Sequence, residues 1–110
     1  MGLELEQATR GDWEVLTVRG EIDLSTSPEL RDALTKLIDA GSPHVAVDLS
    51  DVRFMDSMGL GVLIGARRRV VEQEGTFALV CVEGPVRRVL DVSGLTGVFD
   101  VVGAVEDLSA

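Results

Sequence analysis

Two short segments near the N-terminus have the hydrophobic and polar patterns of β-strands. Leucines alternate with glutamates in residues 3–6, and residues 13–19 are rich in side chains that favour strands. Gly11 and Asp12, between the two segments, are typical of a turn. We therefore expect an N-terminal antiparallel hairpin, followed by a polar loop over residues 20–27 that leaves the sheet.

A helical period replaces the alternation after this loop. Four apolar positions recur at the spacing of one helix face: Leu30, Ala33, Leu34 and Leu37. Thr26 and Ser27 are both candidate N-caps. Thr26 also matches a capping box with Glu29, and Pro28 suits a first helical turn. These features predict a scaffold helix that stops at Gly41.

The remaining apolar runs predict alternating strands and helices. Residues 45–49 and 76–82 are short, nearly continuous apolar runs, which are typical of buried parallel strands. The other predicted elements are a helix over residues 57–74, a helix over 85–92, a strand over 98–102 and a helical turn or frayed tail over 104–109.

The resulting order, β-β-α-β-α-β-α-β, predicts a single α/β domain over residues 1–110. Its mixed central sheet combines the hairpin with parallel strands that are joined by crossover helices. The core is expected over about residues 3–102, and residues 103–110 form a short tail or terminal helix.

The composition narrows the class of protein. Hydrophobic residues make up 45% of the 110 residues, which suffices for one small core. The net charge of −9 argues against a nucleic-acid partner and against attraction to an anionic membrane. The single cysteine, Cys81, lies in an apolar run, so we interpret it as a buried thiol in a reducing compartment. We expect no signal peptide, no transmembrane segment and a cytoplasmic location.

Few residues offer catalytic chemistry. His44 is the one histidine and precedes a predicted strand, whereas Ser57 follows that strand, which argues against a Ser–His hydrolase. Asp48, Asp51 and Asp56 do not match the spacing of a known oxygen-ligand loop for a metal ion. We therefore expect no catalytic residue, no metal and no cofactor.

Three glycines follow the strand over residues 45–49, as they do in glycine-rich phosphate loops. However, Gly59, Gly61 and Gly65 fall inside the predicted helix, and the lysine of a Walker motif is absent. A small nucleotide-binding or hydrolytic protein, with Ser57 as its reactive group, remains an alternative from another functional class.

The helix predicted over residues 57–74 has two unlike sides. The side assigned to the sheet carries Leu60, Leu63, Ile64, Val70 and Val71, with Arg67 in its middle. The opposite side carries Met58, Gly61, Val62, Gly65 and Arg69. A helical glycine costs about 1 kcal/mol relative to alanine, and close approach of another backbone would explain that cost. We assign Gly59 to contact with the sheet, and Gly61 and Gly65 to a flat docking surface for a protein partner.

Ser57 lies at the start of this helix, at the edge of the docking surface. It either caps the helix, a role that Asp56 could equally fill, or serves as a regulatory hydroxyl. A phosphate there would lie at the positive end of the helix dipole, so the fold would tolerate it. It would also lie beside Asp56, and beside Asp23 if the first loop is near. A partner docking on Met58 and Gly61 would then meet concentrated negative charge.

Three segments carry a resemblance to a known family. Residues 20–23 read Gly-Glu-Ile-Asp, and residues 47–62 read Val-Asp-Leu-Ser-Asp-Val-Arg-Phe-Met-Asp-Ser-Met-Gly-Leu-Gly-Val. Residues 85–95 read Pro-Val-Arg-Arg-Val-Leu-Asp-Val-Ser-Gly-Leu. Together they resemble the bacterial anti-sigma-factor antagonists of the STAS domain family, and the similarity extends over roughly residues 3–108.

The resemblance implies a switch protein with no catalysis of its own. Its unphosphorylated form would bind an anti-sigma factor that is also a serine kinase, which frees a sigma factor. The kinase would use ATP to phosphorylate Ser57, and a metal-dependent phosphatase would reverse the modification. Asp23 matches a loop position that family members use at the same interface. The predicted partner-binding residues are Asp23, Asp56, Met58, Gly61, Val62, Gly65 and Arg69.

Met58 departs from the family pattern, in which Ser or Thr usually follows the phosphorylated serine directly. The change removes a neighbouring hydroxyl and makes the docking surface more apolar. The family also includes STAS domains that are not phosphorylated. A constitutive docking or scaffold module of a larger signalling assembly is therefore the second hypothesis.

Overall fold

The N-terminal hairpin forms one edge of a five-stranded sheet in the computed structural model, which describes residues 2–108. The strands are β1 (Glu4–Arg10), β2 (Trp13–Ile22), β3 (His44–Met55), β4 (Thr76–Val80) and β5 (Asp100–Val102). The helices are α1 (Ser27–Asp39), α2 (Ser57–Glu72) and α3 (Pro85–Val92). Two short 3-10 helices, Leu95–Gly97 and Val105–Asp107, complete the described elements. The predicted order of strands and helices is confirmed.

The strands lie in the sheet in the order in which they occur in the sequence, β1-β2-β3-β4-β5. β1 pairs antiparallel with β2, whereas β2, β3, β4 and β5 pair parallel with one another. Each helix therefore connects one parallel strand to the next, and the chain always moves toward the same edge of the sheet. Because such crossovers are right-handed, α1, α2 and α3 lie on one face of the sheet. The predicted mixed α/β sheet is confirmed.

The main core lies between this face and the three helices. Its largest fully buried side chains are Ile22, Leu30, Leu34, Ile38, Leu49, Met55, Leu63, Leu79 and Leu90. Burying each such side chain contributes roughly 1.5–3 kcal/mol relative to leaving it exposed, so this core supplies most of the driving force for folding. Cys81 belongs to it, and burial raises the pKa of its thiol, which fits the structural role predicted from the sequence.

The opposite face of the sheet carries a second, smaller core. Trp13, Val15, Ala46 and Ala78 are buried there, and Val105 and Leu108 pack against them. An ion pair between Arg10 and Glu106, 3.8 Å apart, joins the same C-terminal segment to β1. The predicted tail is therefore a cover over this face up to Leu108, and its remaining residues lie outside the described part of the chain.

Two strands run further than the hydrophobic pattern predicted. The sequence assigned residues 20–22 to a loop and ended the next strand at residue 49, but β2 continues to Ile22 and β3 to Met55. The register between the two strands shifts after Thr17 and again after Gly20. Such irregularities break the alternation of buried and exposed positions, so a period of two is lost over this stretch.

The predicted capping box at the start of α1 is wrong. Thr26 is the N-cap residue, but its hydroxyl accepts from the Asp23 backbone N–H at 2.9 Å and donates to the Glu21 carbonyl oxygen at 2.8 Å. Glu29 instead accepts from the backbone N–H of Leu3 at 3.1 Å. The two side chains thus connect α1 to the N-terminal segment and to β2. Pro28 lies in the first turn, as predicted.

Candidate functional site

The carboxyl ends of β2 and β3 bring two acidic loops together. Ile22 and Met55 are register partners in the parallel pair, and Asp23 and Asp56 directly follow them. The Asp56 backbone N–H donates to the Ile22 carbonyl oxygen at 3.1 Å, which holds the two loops side by side. The first loop therefore lies near the start of α2, which was the condition for Asp23 to lie beside Ser57.

Asp56 is the N-cap residue of α2. Its carboxylate accepts from the backbone N–H groups of Met58 at 3.0 Å and Gly59 at 3.2 Å. The capping role that the sequence left open between Asp56 and Ser57 is thus filled by Asp56. Ser57 is the first residue of α2, it is exposed, and its hydroxyl makes no hydrogen bond to any residue that the structure describes. It is available to react or to be modified.

Asp23 organises the loop between β2 and α1. Its Oδ1 accepts from the Ser25 hydroxyl at 2.8 Å, from the Ser25 N–H at 2.9 Å and from the Thr26 N–H at 3.1 Å. The hydrogen bond from the Ser25 hydroxyl, with those from the two backbone N–H groups, lowers the pKa of Asp23. The loop therefore presents a fixed carboxylate at the edge of the site.

A groove of about 400 Å³ lies between α1 and α2. Six of the predicted residues line it: Ser57, Met58, Gly61, Val62, Gly65 and Arg69. Asp23 and Asp56 do not line this groove but lie in the loops that adjoin its Ser57 end. The sequence suggested a flat surface. The structure shows a concave one, with α2 as one wall.

The other wall of the groove comes from α1, which the sequence analysis treated as a scaffold helix only. Arg31, Leu34 and Thr35 line it, opposite the glycines of α2. Their spacing of three and four residues marks one helix face, which could have been found from the sequence. It could not be connected with α2, because nothing in the pattern says which helices are neighbours.

The glycines of α2 fall into two groups, as predicted. A Cβ atom on Gly59 would lie 2.6 Å from Ile22 Cγ2 and 2.7 Å from Met55 Cγ, so Gly59 permits contact between α2 and the sheet. A Cβ atom on Gly61 or Gly65 would meet no other part of the described chain within 4 Å, beyond its own helix backbone and sequence neighbours. The small size of these two residues serves no packing within the domain.

The helix is rotated relative to the predicted wheel. The buried row is Gly59, Leu63, Ala66 and Val70. Val71, assigned to the sheet side, is 47% exposed, and Arg67 is partly buried on the flank of this row and not at its centre. The prediction shifted because the glycine and alanine of the buried row carry little hydrophobic weight.

Arg69 closes the far end of the groove. Its guanidinium donates to Thr35 Oγ1 at 3.2 Å and to Asp39 Oδ1 at 3.1 Å, so it bridges α2 and α1. These bonds already engage part of the guanidinium. The role of Arg69 in partner binding stays a prediction. Met58, at the opposite end beside Ser57, is 47% exposed.

A second, apolar groove of about 510 Å³ lies between α2 and α3 and also reaches Ser57. It is lined by Asp56, Ser57, Leu60, Pro85, Arg88, Val89, Val92 and Ser93. Ser57 therefore stands on the wall shared by the two grooves. The sequence did not predict this second groove, because it depends on how α3 packs beside α2.

The structure separates the two residues of the Ser–His alternative along β3. His44 starts β3 and Ser57 follows its other end, and the His44 ring lies 5.4 Å from that of Trp13. Asp51 pairs with Arg19 at 3.4 Å. Within residues 2–108, no three histidine, cysteine or acidic side chains are grouped as metal ligands would be. In the same part of the chain, no helix has both the length and the apolar character needed to cross a membrane.

Comparison with known proteins gives a consistent result. A family model described as the STAS domain matches residues 4–108. A Staphylococcus epidermidis protein named anti-sigma-B factor antagonist is 32% identical over 101 residues, which cover 92% of this chain and 94% of that protein. A crystal structure of an anti-sigma factor antagonist from Mycobacterium paratuberculosis superposes with a TM-score of 0.88 at 28% identity, covering 96% of this chain and 89% of that one. The Bacillus cell fate determinant SpoIIAA in its phosphorylated form gives a TM-score of 0.70 at 26% identity, covering 94% of both chains.

Proposed function

The chain belongs to the STAS domain family and is an anti-sigma factor antagonist, and we propose that it acts as a binding switch controlled by Ser57. With Ser57 unmodified it binds an anti-sigma factor that is also a serine kinase, and the sigma factor is released. The kinase transfers the γ-phosphoryl group of ATP to Ser57 Oγ, with release of ADP and a proton. A phosphatase hydrolyses the phosphoserine and restores binding.

The observation that carries the proposal is the state of the Ser57 hydroxyl. It is exposed at the first position of α2, while Asp56 fills the capping role that would otherwise occupy it. A phosphate at this position lies near the positive end of the helix dipole and disturbs no hydrogen bond of the described fold. Modification therefore leaves the domain folded.

The effect of a phosphate on the partner follows from the surface around Ser57. The groove between α1 and α2 is lined largely by apolar and small residues beside Ser57, including Met58, Gly61 and Val62. A partner that fills this groove must desolvate its rim, and a charge of about −1.5 to −2 from a phosphate opposes that strongly. Asp23 and Asp56 already place negative charge in the adjoining loops, which adds repulsion.

The exposure of Met58 favours the scaffold hypothesis as a second candidate. An apolar, adaptable side chain at the end of a groove suits docking whether or not Ser57 is modified. The two hypotheses share the groove and differ in the effect of charge at Ser57. One set of variants therefore separates them.

The test incubates the protein with its candidate anti-sigma kinase and ATP and locates the phosphate by mass spectrometry. Binding of Ser57→Asp and Ser57→Ala to the anti-sigma factor is then measured by calorimetry. We expect Ser57→Asp to bind at least tenfold more weakly, a loss of about 1.4 kcal/mol, while Ser57→Ala binds and resists release by ATP.

Ser50→Asp is the matched control, since it adds the same charge at an exposed position of β3 that lines neither groove. Equal affinities of Ser57→Asp, Ser57→Ala and Ser50→Asp would support the scaffold hypothesis. An unmodified Ser57 after incubation with an active cognate kinase would contradict the switch.

A further inference from the structure

Arg88 stands out among the arginines of the chain. Six others form ion pairs with carboxylates within the described residues: Arg10, Arg19, Arg31, Arg53, Arg69 and Arg87. Arg88 is exposed on α3 and has no ion pair within residues 2–108. Arg67 and Arg68 also lack one there, but neither lines a groove beside Ser57. Arg88 does.

The surroundings of Arg88 suit an anion. It shares the α2–α3 groove with Ser57, and most of the remaining lining is apolar, from Leu60, Pro85, Val89 and Val92. Side chains of this kind reduce hydration and strengthen a charged pair relative to one in open water. The carboxylate of Asp56 also lines the groove, but it is held by two backbone N–H groups of α2 and forms no ion pair with Arg88.

We propose that Arg88 is the phosphate-binding residue of the modified protein. The inference rests on the proposed modification of Ser57. The phosphoserine turns toward the α2–α3 groove, and the guanidinium donates charge-assisted hydrogen bonds to its oxygens. The phosphate thereby bridges α2 and α3.

Such a bridge has a regulatory consequence. A phosphatase must separate the phosphate from Arg88 before hydrolysis, so Arg88 prolongs the modified state. Arg31 is the competing candidate, because it lines the other groove beside Ser57. It is already paired with Asp32 at 3.9 Å, which makes Arg88 the more available of the two cations.

The test uses protein with phosphoserine incorporated directly at position 57 during translation, so it does not depend on any kinase. A phosphorus NMR titration follows the second ionisation of the phosphate. A nearby guanidinium favours the dianion, so we expect Arg88→Gln to raise the pKa of the phosphate. A broad-specificity metal-dependent phosphatase should then remove the phosphate about threefold faster, as expected for loss of one exposed ion pair.

Arg68→Gln is the matched control, since it removes the same charge from an exposed site on α2 away from both grooves. Arg88→Lys keeps the positive charge but not the planar guanidinium. The pKa of the phosphate should therefore lie between its values in the parental protein and in Arg88→Gln. Identical titrations for Arg88→Gln and Arg68→Gln, or a change in Arg31→Gln alone, would overturn the assignment. Circular dichroism of each unmodified variant checks the fold.

The outcome is separable from that of the proposed switch. If phosphoserine at 57 leaves anti-sigma binding intact, the switch fails, whereas the titration still reports whether Arg88 contacts the phosphate. If binding is lost but Arg88→Gln changes neither the titration nor the phosphatase rate, only the role of Arg88 is refuted.

Discussion

The two sides of α2 use the same residue type for opposite purposes. On the inner side, Gly59 lies against Ile22 and Met55 so closely that even one methyl group has no room. On the outer side, Gly61 and Gly65 face open space in the groove beside α1. The inner glycine is required by packing within the domain. The outer glycines cost about 1 kcal/mol each in helix stability, and no contact within the described chain offsets that cost.

The difference separates a constraint of folding from a constraint of function. No contact within the described chain explains the two outer glycines, and a concave surface without side chains would allow close approach of another backbone, which supports the proposed docking of a partner. We therefore expect substitutions on the inner side of α2 to change stability, and substitutions on its outer side to change binding.

The largest effect is expected at Gly59. Gly59→Leu should destabilise the domain by about 2–3 kcal/mol, since the added side chain must displace Ile22 and Met55 in a packed core. The measurement is the midpoint of urea unfolding, monitored by far-UV circular dichroism and by Trp13 fluorescence. Gly61→Leu is the paired control and should unfold at or slightly above the parental midpoint. Similar losses for the two variants would mean that the outer side is also held by packing.

The second effect concerns binding and uses the same outer variant. Gly61→Leu should weaken anti-sigma binding at least tenfold, about 1.4 kcal/mol, because the side chain would fill the groove proposed to receive the partner. Calorimetry with the folded variant gives the affinity, and the unfolding midpoint shows that the fold is intact. Unchanged affinity would place the partner elsewhere on the domain.

The smallest effect is expected at the rim, where Asp23 holds its loop. The pKa of Asp23 is lower in the folded protein than in the unfolded chain, so its contribution to stability is present above the unfolded pKa of about 4. That contribution is lost as the pH falls through the folded pKa. Asp23→Asn keeps a hydrogen-bond acceptor but removes the charge, so its stability should fall less steeply with acid. Urea unfolding of both proteins from pH 2 to 5 checks this, and parallel profiles would contradict it.

Much of the site could be predicted from the sequence because it lies within one local segment. Ser57 starts α2, and the outer residues Met58, Gly61, Val62, Gly65 and Arg69 follow it at helical spacing. The apolar runs and turn residues also predicted the element order, and the predicted α3 bounds agree with the structure. These features depend on contacts between near neighbours in the chain, which a hydrophobic pattern records directly.

The errors arose where contacts between distant segments decided the outcome. The length of β3 depends on irregular pairing with β2, and Glu29 accepts from the Leu3 backbone N–H instead of completing a capping box with Thr26. The cover over Trp13 comes from a C-terminal segment that has no strong pattern of its own. In each case the energy comes from a partner far along the chain or from another element, and the local pattern does not identify that partner.

The sequence by itself thus determined which residues share the outer side of α2, because helix geometry fixes that grouping from spacing alone. Only the tertiary structure decided that α1 supplies the second wall of the groove, that the Asp23 loop adjoins Asp56, and that Arg88 reaches the groove on the other side of Ser57. The physical reason is that helix packing and strand register bring these groups together, and both depend on the whole core.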